Sequence, residues 1–387
     1  MPKTKKDKII SAIINGLFFL AALVCFLCAY RITHVLDSQF ETERWKGESD
    51  GSFCQISCFM PSDGKLSVKE VDAFRSKMMQ KLEEASVDIS SGIPFVDCWS
   101  CEDSSKVYGM YSGTASIIAC GGNFFDFHPL RLVTGNYFSG DDLMQDNVLL
   151  DEDLAWLLFG GNDLEGQVVY IYNVPFRVAG VVARESDQAT DKAYSGGLGL
   201  FMSFDTYMDL NSSAASSPEA SGLSDPEQPS ASGMQNYGIT CYEVCMPDPV
   251  NGFAAGVVES EFPIGKGEIV RNTGRFSLGS IASIAKDFSL RSIHDGAAFS
   301  YWENAARYAE NKAAILLVVG CVFLLFPLII FAVLTVRSMI FVNTKIREDL
   351  LPGLQESAEE TIRRQQRKHW EKKHGITPGK DGPDQKQ

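Results

Sequence analysis

Histidine is scarce in this sequence, with five among 387 residues, and the signatures of nucleotide and hydrolytic chemistry are missing. No G-x-x-x-x-G-K-[ST] stretch occurs, so the backbone cradle and lysine that hold phosphates are not encoded, and Gly265-Lys266-Gly267 lacks the spacing. No H-E-x-x-H pair and no G-x-S-x-G elbow is present either. His369 and His374 lie in the last stretch of the chain, and His34, His128 and His294 are scattered, so the expectation is no metal, no cofactor and no catalytic constellation. Basic residues are also the minority: 35 Lys and Arg stand against 49 Asp and Glu, for a net charge of −14, which argues against nucleic acid as a partner.

Long apolar runs are what the sequence does have. Residues 9–30 and residues 313–336 carry no charge, and at about 1.5 Å of rise per residue each is long enough to cross a hydrocarbon core about 30 Å thick. Lys3, Lys5, Lys6 and Lys8 precede the first run as they would a signal peptide. The run exceeds the usual apolar region of such a peptide, however, and no small-x-small site follows Tyr30, so an uncleaved anchor is expected. Charge sorts sharply around the runs. Residues 1–30 have net +3, residues 31–312 have 20 basic against 40 acidic residues, and residues 313–387 have net +3. Positive flanks stay in the cytoplasm. The expected topology is two-pass: a basic tip (1–8), a first spanning helix (9–30), a large extracytoplasmic domain (31–312), a second spanning helix (313–336) and a cytoplasmic stretch (337–387) with a helix over 354–374. No third or fourth spanning segment is read in the chain.

Within the domain, periodicities alternate between strand and helix, so the fold class is α+β: a mixed α/β extracytoplasmic domain of two subdomains between two transmembrane helices. Residues 52–60 read as a strand. Ser67 and Glu70 make a capping box, with Leu66 and Val71 as a hydrophobic staple and Val71, Phe74, Met78 and Leu82 at helical spacing. Residues 113–119 and 148–150 read as strands, and residues 151–159 as a helix stopped by Gly160-Gly161. Residues 167–172 and 176–182 read as a hairpin around Asn173-Val174-Pro175. Residues 211–232, rich in Ser, Ala and Pro, read as a flexible excursion; the Asn211-Ser212-Ser213 triplet in it fits a glycosylation sequon. Residues 237–246 and 267–272 read as strands and 257–262 as the end of a helix. A last helix starts near Ser300, with Tyr301, Trp302 and Tyr308 placed for an interfacial aromatic belt.

Of ten cysteines, Cys25, Cys28 and Cys321 lie in the apolar runs and seven in the domain. Cys98-Trp99-Ser100-Cys101 has the C-x-x-C form, but the acidic Glu102-Asp103 that follows, read as a loop, would raise a thiol pKa, the opposite of redox activation. Cys54/Cys58 and Cys241/Cys245 each stand at i, i+4 on a strand, so each pair shares a face, and pairing between the two strands is geometrically conceivable if they are neighbours. Disulfide or thiol stays open for Cys54, Cys58, Cys98, Cys101, Cys241 and Cys245.

Residues 129–182 resemble the core domain of MacB-like ABC transporter permeases, within the FtsX-like group. The matching elements are Gly135-Asn136-Tyr137-Phe138, Asp146-Asn147-Val148-Leu149-Leu150, Ala155-Trp156-Leu157-Leu158-Phe159-Gly160, Leu164-Glu165-Gly166 and Phe176-Arg177-Val178-Ala179-Gly180-Val181. Tyr301-Trp302-Glu303-Asn304-Ala305-Ala306-Arg307, just before the second run, is similar to the same family. The resemblance extends over roughly residues 1–340 and implies an inserted subdomain at about 131–235, with the membrane-proximal part built from both flanks. It implies structural roles for Gly135, Phe138, Val148, Phe159, Gly160, Gly166, Gly180, Trp302, Glu303, Asn304 and Arg307. It further implies a non-catalytic permease-like subunit that couples cytoplasmic ATP hydrolysis to movement outside, with an ABC ATPase subunit as partner. Permeases of this kind usually have four spanning helices and two are read here, which implies a second permease subunit. The alternative is a membrane-anchored receptor or scaffold with no ATPase partner.

Overall fold

The computed structural model describes residues 5–47, 51–61, 63–87, 94–139, 145–194, 197–216, 237–265, 267–287, 299–346, 348 and 351–373. Helix α1 (Lys5–Thr33) and the short α2 (Glu41–Lys46) lead to strand β1 (Phe53–Phe59) and helix α3 (Val68–Glu84). Then come β2 (Val96–Tyr108), β3 (Ser112–Gly122), α4 (Phe124–Phe127), β4 (Arg131–Gly135), β5 (Asn147–Asp151) and α5 (Glu152–Phe159). These are followed by β6 (Val168–Ile171), β7 (Val174–Ala183), α6 (Gln188–Ala193), β8 (Gly199–Ser203) and α7 (Phe204–Ser216). The chain continues with β9 (Cys241–Pro247), α8 (Phe253–Glu261), β10 (Glu268–Arg271), α9 (Leu278–Asp287), α10 (Tyr301–Lys345) and α11 (Leu351–Lys373). It divides into two units, Val24–Val319 and, together, Met1–Leu23 with Gly320–Gln387.

The larger unit is built on one sheet of ten strands in the order β10-β1-β9-β2-β3-β8-β5-β7-β4, with β6 pairing to β2 and β7. One half uses strands from before residue 123 and after residue 240; the other uses strands between residues 131 and 203. Successive side chains on a strand point to opposite faces, and two apolar layers result. On one face α3 lays Val71, Phe74, Met78 and Leu82 onto Tyr242, Ile56 and Phe262. The Ser67 capping box that starts α3 is present in full, its hydroxyl accepting from Glu70 N while the Glu70 carboxylate accepts from Ser67 N. On the other face Phe124, Phe127, Phe138, Leu149, Phe201, Tyr301 and Trp302 pack together.

Helix α5 starts at Asp151, whose Oδ1 accepts from Leu154 N, and stops at Gly160, which takes the left-handed conformation (φ 75°) that a Cβ disfavours. Gly135 and Gly180 meet where β4 crosses β7; a Cβ on Gly180 would lie 2.6 Å from the Thr134 carbonyl oxygen, so the strands approach only with glycine there.

Four expectations change. The Cys98–Cys101 segment is not followed by a loop: it lies inside β2, which pairs with β9 from Val96 to Ser100 and with β3 from Cys98 through Asp103 to Tyr108. The hairpin turn is Tyr172-Asn173, both at positive φ (51° and 63°), with Val174 and Pro175 already in β7. Residues 211–216 are the last turns of α7, and Asn211 is buried with its Nδ2 donating to Tyr207 O, which removes it as a glycan acceptor; the excursion over 217–232 lies outside the described residues. Tyr301 and Trp302 are buried in the second apolar layer rather than standing in an interfacial belt, because α10 begins against the sheet.

In the smaller unit, Phe18 of α1 sits 4.7 Å and 5.9 Å, centroid to centroid, from Phe326 and Phe323 of α10. Ile9–Thr33 and Tyr301–Lys345 are both long and apolar enough to cross a membrane, and α10 continues through Pro327 without a break. Helix α11 exposes both faces and carries Glu359–Arg363 and Glu360–Arg364 pairs at 3.7 Å.

Candidate functional site

The second face of the sheet is not wholly apolar. Ser57, Glu243 and Cys98 stand opposite one another across β1, β9 and β2 and form one buried row. Ser57 Oγ donates to Glu243 Oε1 at 2.7 Å. Glu243 Oε2 lies 2.6 Å from His128 Nε2 and 3.9 Å from Cys98 Sγ. His128 follows α4, and its ring lies under Trp302, with centroids 4.2 Å apart. Burial first, and the Glu243 carboxylate second, push the Cys98 thiol pKa well above its ordinary value.

From Ser57 the polar chain runs on toward α10. Asn272 Oδ1 is 3.0 Å from Ser57 Oγ, and Asn272 Nδ2 donates to Gln39 Oε1. Arg275 Nη1 donates to the same Gln39 oxygen and to Glu303 Oε2, and its Nε to Glu310 Oε1. Arg307 Nε donates to Glu303 Oε1 at 2.6 Å, and its Nη2 to Glu268 Oε1 on β10 at 2.5 Å. Glu303 is fully buried, and Arg275, Arg307 and Glu310 nearly so. Burial works against the charge on Arg275, but Glu303 and Glu310 outweigh it and hold its pKa above the ordinary guanidinium value. The first three turns of α10 are thus tied to the turn after β10 by buried ion pairs through Arg275, and to β10 itself by a partly exposed one through Glu268, while Ala305, Ala306 and Ala309 pack on Leu36 and Ala189. Small side chains let the helix lie close against its support.

Of the residues singled out in the sequence, Trp302, Glu303 and Arg307 meet in this network, and Asn304 Nδ2 donates to Phe299 O beside it. Gly135, Phe138, Val148, Phe159, Gly160, Gly166 and Gly180 lie elsewhere in the unit. Val148 is core in one apolar layer, with Phe159 packed partly buried against that layer, Phe138 is core in the other, and Gly135, Gly160 and Gly166 hold positive φ. The cysteines do not converge as pairs. Cys54 and Cys58 belong to one apolar layer with Cys101; Cys98, Cys120, Cys241 and Cys245 belong to the other. Strands β1 and β9 are neighbours, but Cys54 faces Met246 and Cys58 faces Tyr242, so the two pairs stand on opposite faces and no bond joins them. Sequence reading passes over Gln39, Ser57, Glu243, Asn272 and Arg275, and it sets His128 aside as a scattered histidine. Glu243 alone carries a local signal, a charge at an inward strand position between Cys241 and Cys245.

Residues 49–229 match the model of the MacB-like periplasmic core domain. The macrolide export ATP-binding/permease protein MacB of Chromobacterium violaceum is 34% identical over 95 residues, 24% of this chain and 14% of that protein. Its namesake from Aggregatibacter actinomycetemcomitans is 30% identical over 140 residues, 35% of this chain and 21% of that protein. The chain therefore spans about a fifth or less of the length of these curated relatives. Among solved structures, the periplasmic region of MacB from Actinobacillus actinomycetemcomitans is similar, with a TM-score of 0.37 and 19% identity over 57% of this chain and 89% of that one. The chain thus carries a segment similar to the MacB-like periplasmic core domain, with a helix long and apolar enough to span a membrane on either side of it in the sequence.

Proposed function

We propose that the chain is a non-catalytic, permease-like subunit of an ABC transporter complex that passes movement made by a cytoplasmic ATPase to a domain outside the membrane. Both termini lie in the cytoplasm, and residues 131–235 form the inserted subdomain of the outer part. The partners are an ABC ATPase subunit and a second permease subunit. One observation carries this reading: α10 is a single helix from Tyr301 to Lys345, and its first turns are clamped through Glu303, Arg307 and Glu310 to Arg275 and Glu268. A helix whose every turn is hydrogen-bonded to the next is stiff, and a clamp of buried ion pairs resists slippage at one end. Arg337, Lys345 and Arg347, with α11, supply the inner contacts.

The test uses the complex purified in mild detergent, with spin labels on α3 and α5. Addition of ATP changes the label distances in the unaltered protein. Insertion of Gly-Gly-Pro after Asn311 removes several helix hydrogen bonds and abolishes that change, while the ATPase subunit still co-purifies. If no ATP-binding subunit accompanies the chain, or the unaltered domain ignores ATP, the receptor or scaffold reading replaces this one.

A further inference from the structure

We propose that Cys98, His128 and Glu243 bind a divalent cation of the zinc class. The thiol sulfur, one imidazole nitrogen and one carboxylate oxygen of these residues lie within 4.8 Å of one another, and all three residues are buried. They come from separate parts of the fold. Cys98 is on β2, Glu243 directly opposite on β9, and His128 in the connection after α4, so the sheet register and not a local turn brings them together. The donor set suits the ion: thiolate, imidazole and carboxylate together are the ligands that zinc takes, whereas calcium and magnesium take oxygen alone. The carboxylate is also held as ligating carboxylates are, its second oxygen accepting from Ser57 at 2.7 Å.

Charge balances at the site. A thiolate, a carboxylate and a neutral imidazole cancel the two positive charges of the cation, so the loaded site is neutral in a buried setting. On loading, the Cys98 thiol proton leaves for solvent. The Nε2 to Oε2 distance, 2.6 Å, must open to about 3.3 Å around a tetrahedral ion. His128 lies in a connection, outside any strand, where a shift of that size disturbs no ladder. His128 also lines a cavity of about 30 Å³, room for roughly one water, together with Asp37, Glu185, Asp187 and Trp302. Its acidic groups draw cations. The indole of Trp302, whose ring lies 4.2 Å from that of His128, centroid to centroid, is buried with its N–H lacking an acceptor among the described residues.

The experiment uses the full-length protein in detergent, purified without chelator, loaded with zinc sulfate or cobalt chloride and dialysed. Elemental analysis is expected to find one zinc per chain. The cobalt form is expected to show a near-ultraviolet thiolate-to-metal band. Cys98→Ser removes the band, and His128→Gln and Glu243→Gln lower metal affinity at least about tenfold. Replacement of Cys25, Cys28 and Cys321 by serine leaves the band in place. A cooperative thermal transition checks that each variant is folded; should Cys98→Ser fail that check, His128→Gln and Glu243→Gln decide through metal content. The proposal is overturned if folded wild-type protein retains no metal and shows no band, or if the band survives in Cys98→Ser.

Discussion

Replacing Arg275 with methionine would take away the cation that Glu303 and Glu310 share at 2.7 Å and 3.0 Å in a buried setting. Removing one partner of such a group is costly because the remaining charges keep their desolvation penalty. We expect Arg275→Met to lower stability by about 3–5 kcal/mol, read by chemical denaturation of the full-length protein, and Arg275→Met/Glu303→Gln to recover part of it. A milder and pH-dependent effect belongs to Glu41, whose pKa burial raises from 4.5 to about 6 despite the Arg44 guanidinium 2.7 Å away. A raised pKa means that the fold favours the protonated acid. The contribution is complete below pH 4.5 and is lost as pH rises through about 6, amounting to about 2 kcal/mol. Glu41→Gln should flatten that part of the melting-temperature profile; an unchanged difference between the two proteins over this window would count against the assignment. Some of this was legible in the sequence and some was not. The i, i+4 spacing of Glu303 and Arg307 on a helix is local, so it can be read. Arg275 lies 28 residues from Glu303, and only the tertiary fold joins them.

Elements with a period or a cap are readable, and those whose stability comes from neighbours are not. Helix α3 announces itself through Ser67, Glu70 and four apolar residues at helical spacing, and all of these act as expected. Strand β2 does the opposite. Its segment Ser100-Cys101-Glu102-Asp103-Ser104-Ser105 is polar and looks like a loop, yet it pairs along its length with β3 and in its first part with β9. Context of this kind overrides intrinsic strand preference. It also decides the fate of the C-x-x-C sequence. Residues three apart on a strand face opposite sides, so Cys98 and Cys101 enter different apolar layers and cannot act as a dithiol pair. Two substitutions probe the elements. Ser67→Ala removes the cap of α3 and should cost about 1 kcal/mol. Gly180→Ala forces a methyl against the Thr134 carbonyl between β4 and β7 and should cost about 1–3 kcal/mol, with both read as shifts in denaturation midpoint. A neutral Gly180→Ala would mean that the two strands are able to separate without penalty.

At the scale of the whole molecule, charge is the feature that local structure does not explain. The sheet and helices of the larger unit would tolerate basic residues on their exposed faces as well as acidic ones, yet residues 31–312 carry net −20 while each flanking stretch carries net +3. The proposed membrane topology would account for the basic flanks, since Lys and Arg near a spanning segment hold it to the cytoplasmic side. The apolar residues of α10 agree with a lipid setting: Val322 is 59% exposed, Phe331 69% and Phe341 66%, a surface that water would penalise. Both termini should therefore be inside. Protease added to intact cells or spheroplasts is expected to cut the domain and to leave a tag placed after Gln387 untouched; after permeabilisation the tag is lost. The charge argument makes a second demand that orientation by the first helix alone does not. Reversing the inner flank of α10, by Arg337→Glu, Lys345→Glu and Arg347→Glu, should weaken its retention and yield a fraction of chains whose tag is cut from outside. If the tag is cut in the unaltered protein, the topology is wrong and α11 belongs outside. If the reversed variant stays fully protected, the clamp of Glu303 and Arg307 and the first helix fix the orientation without help from the charges.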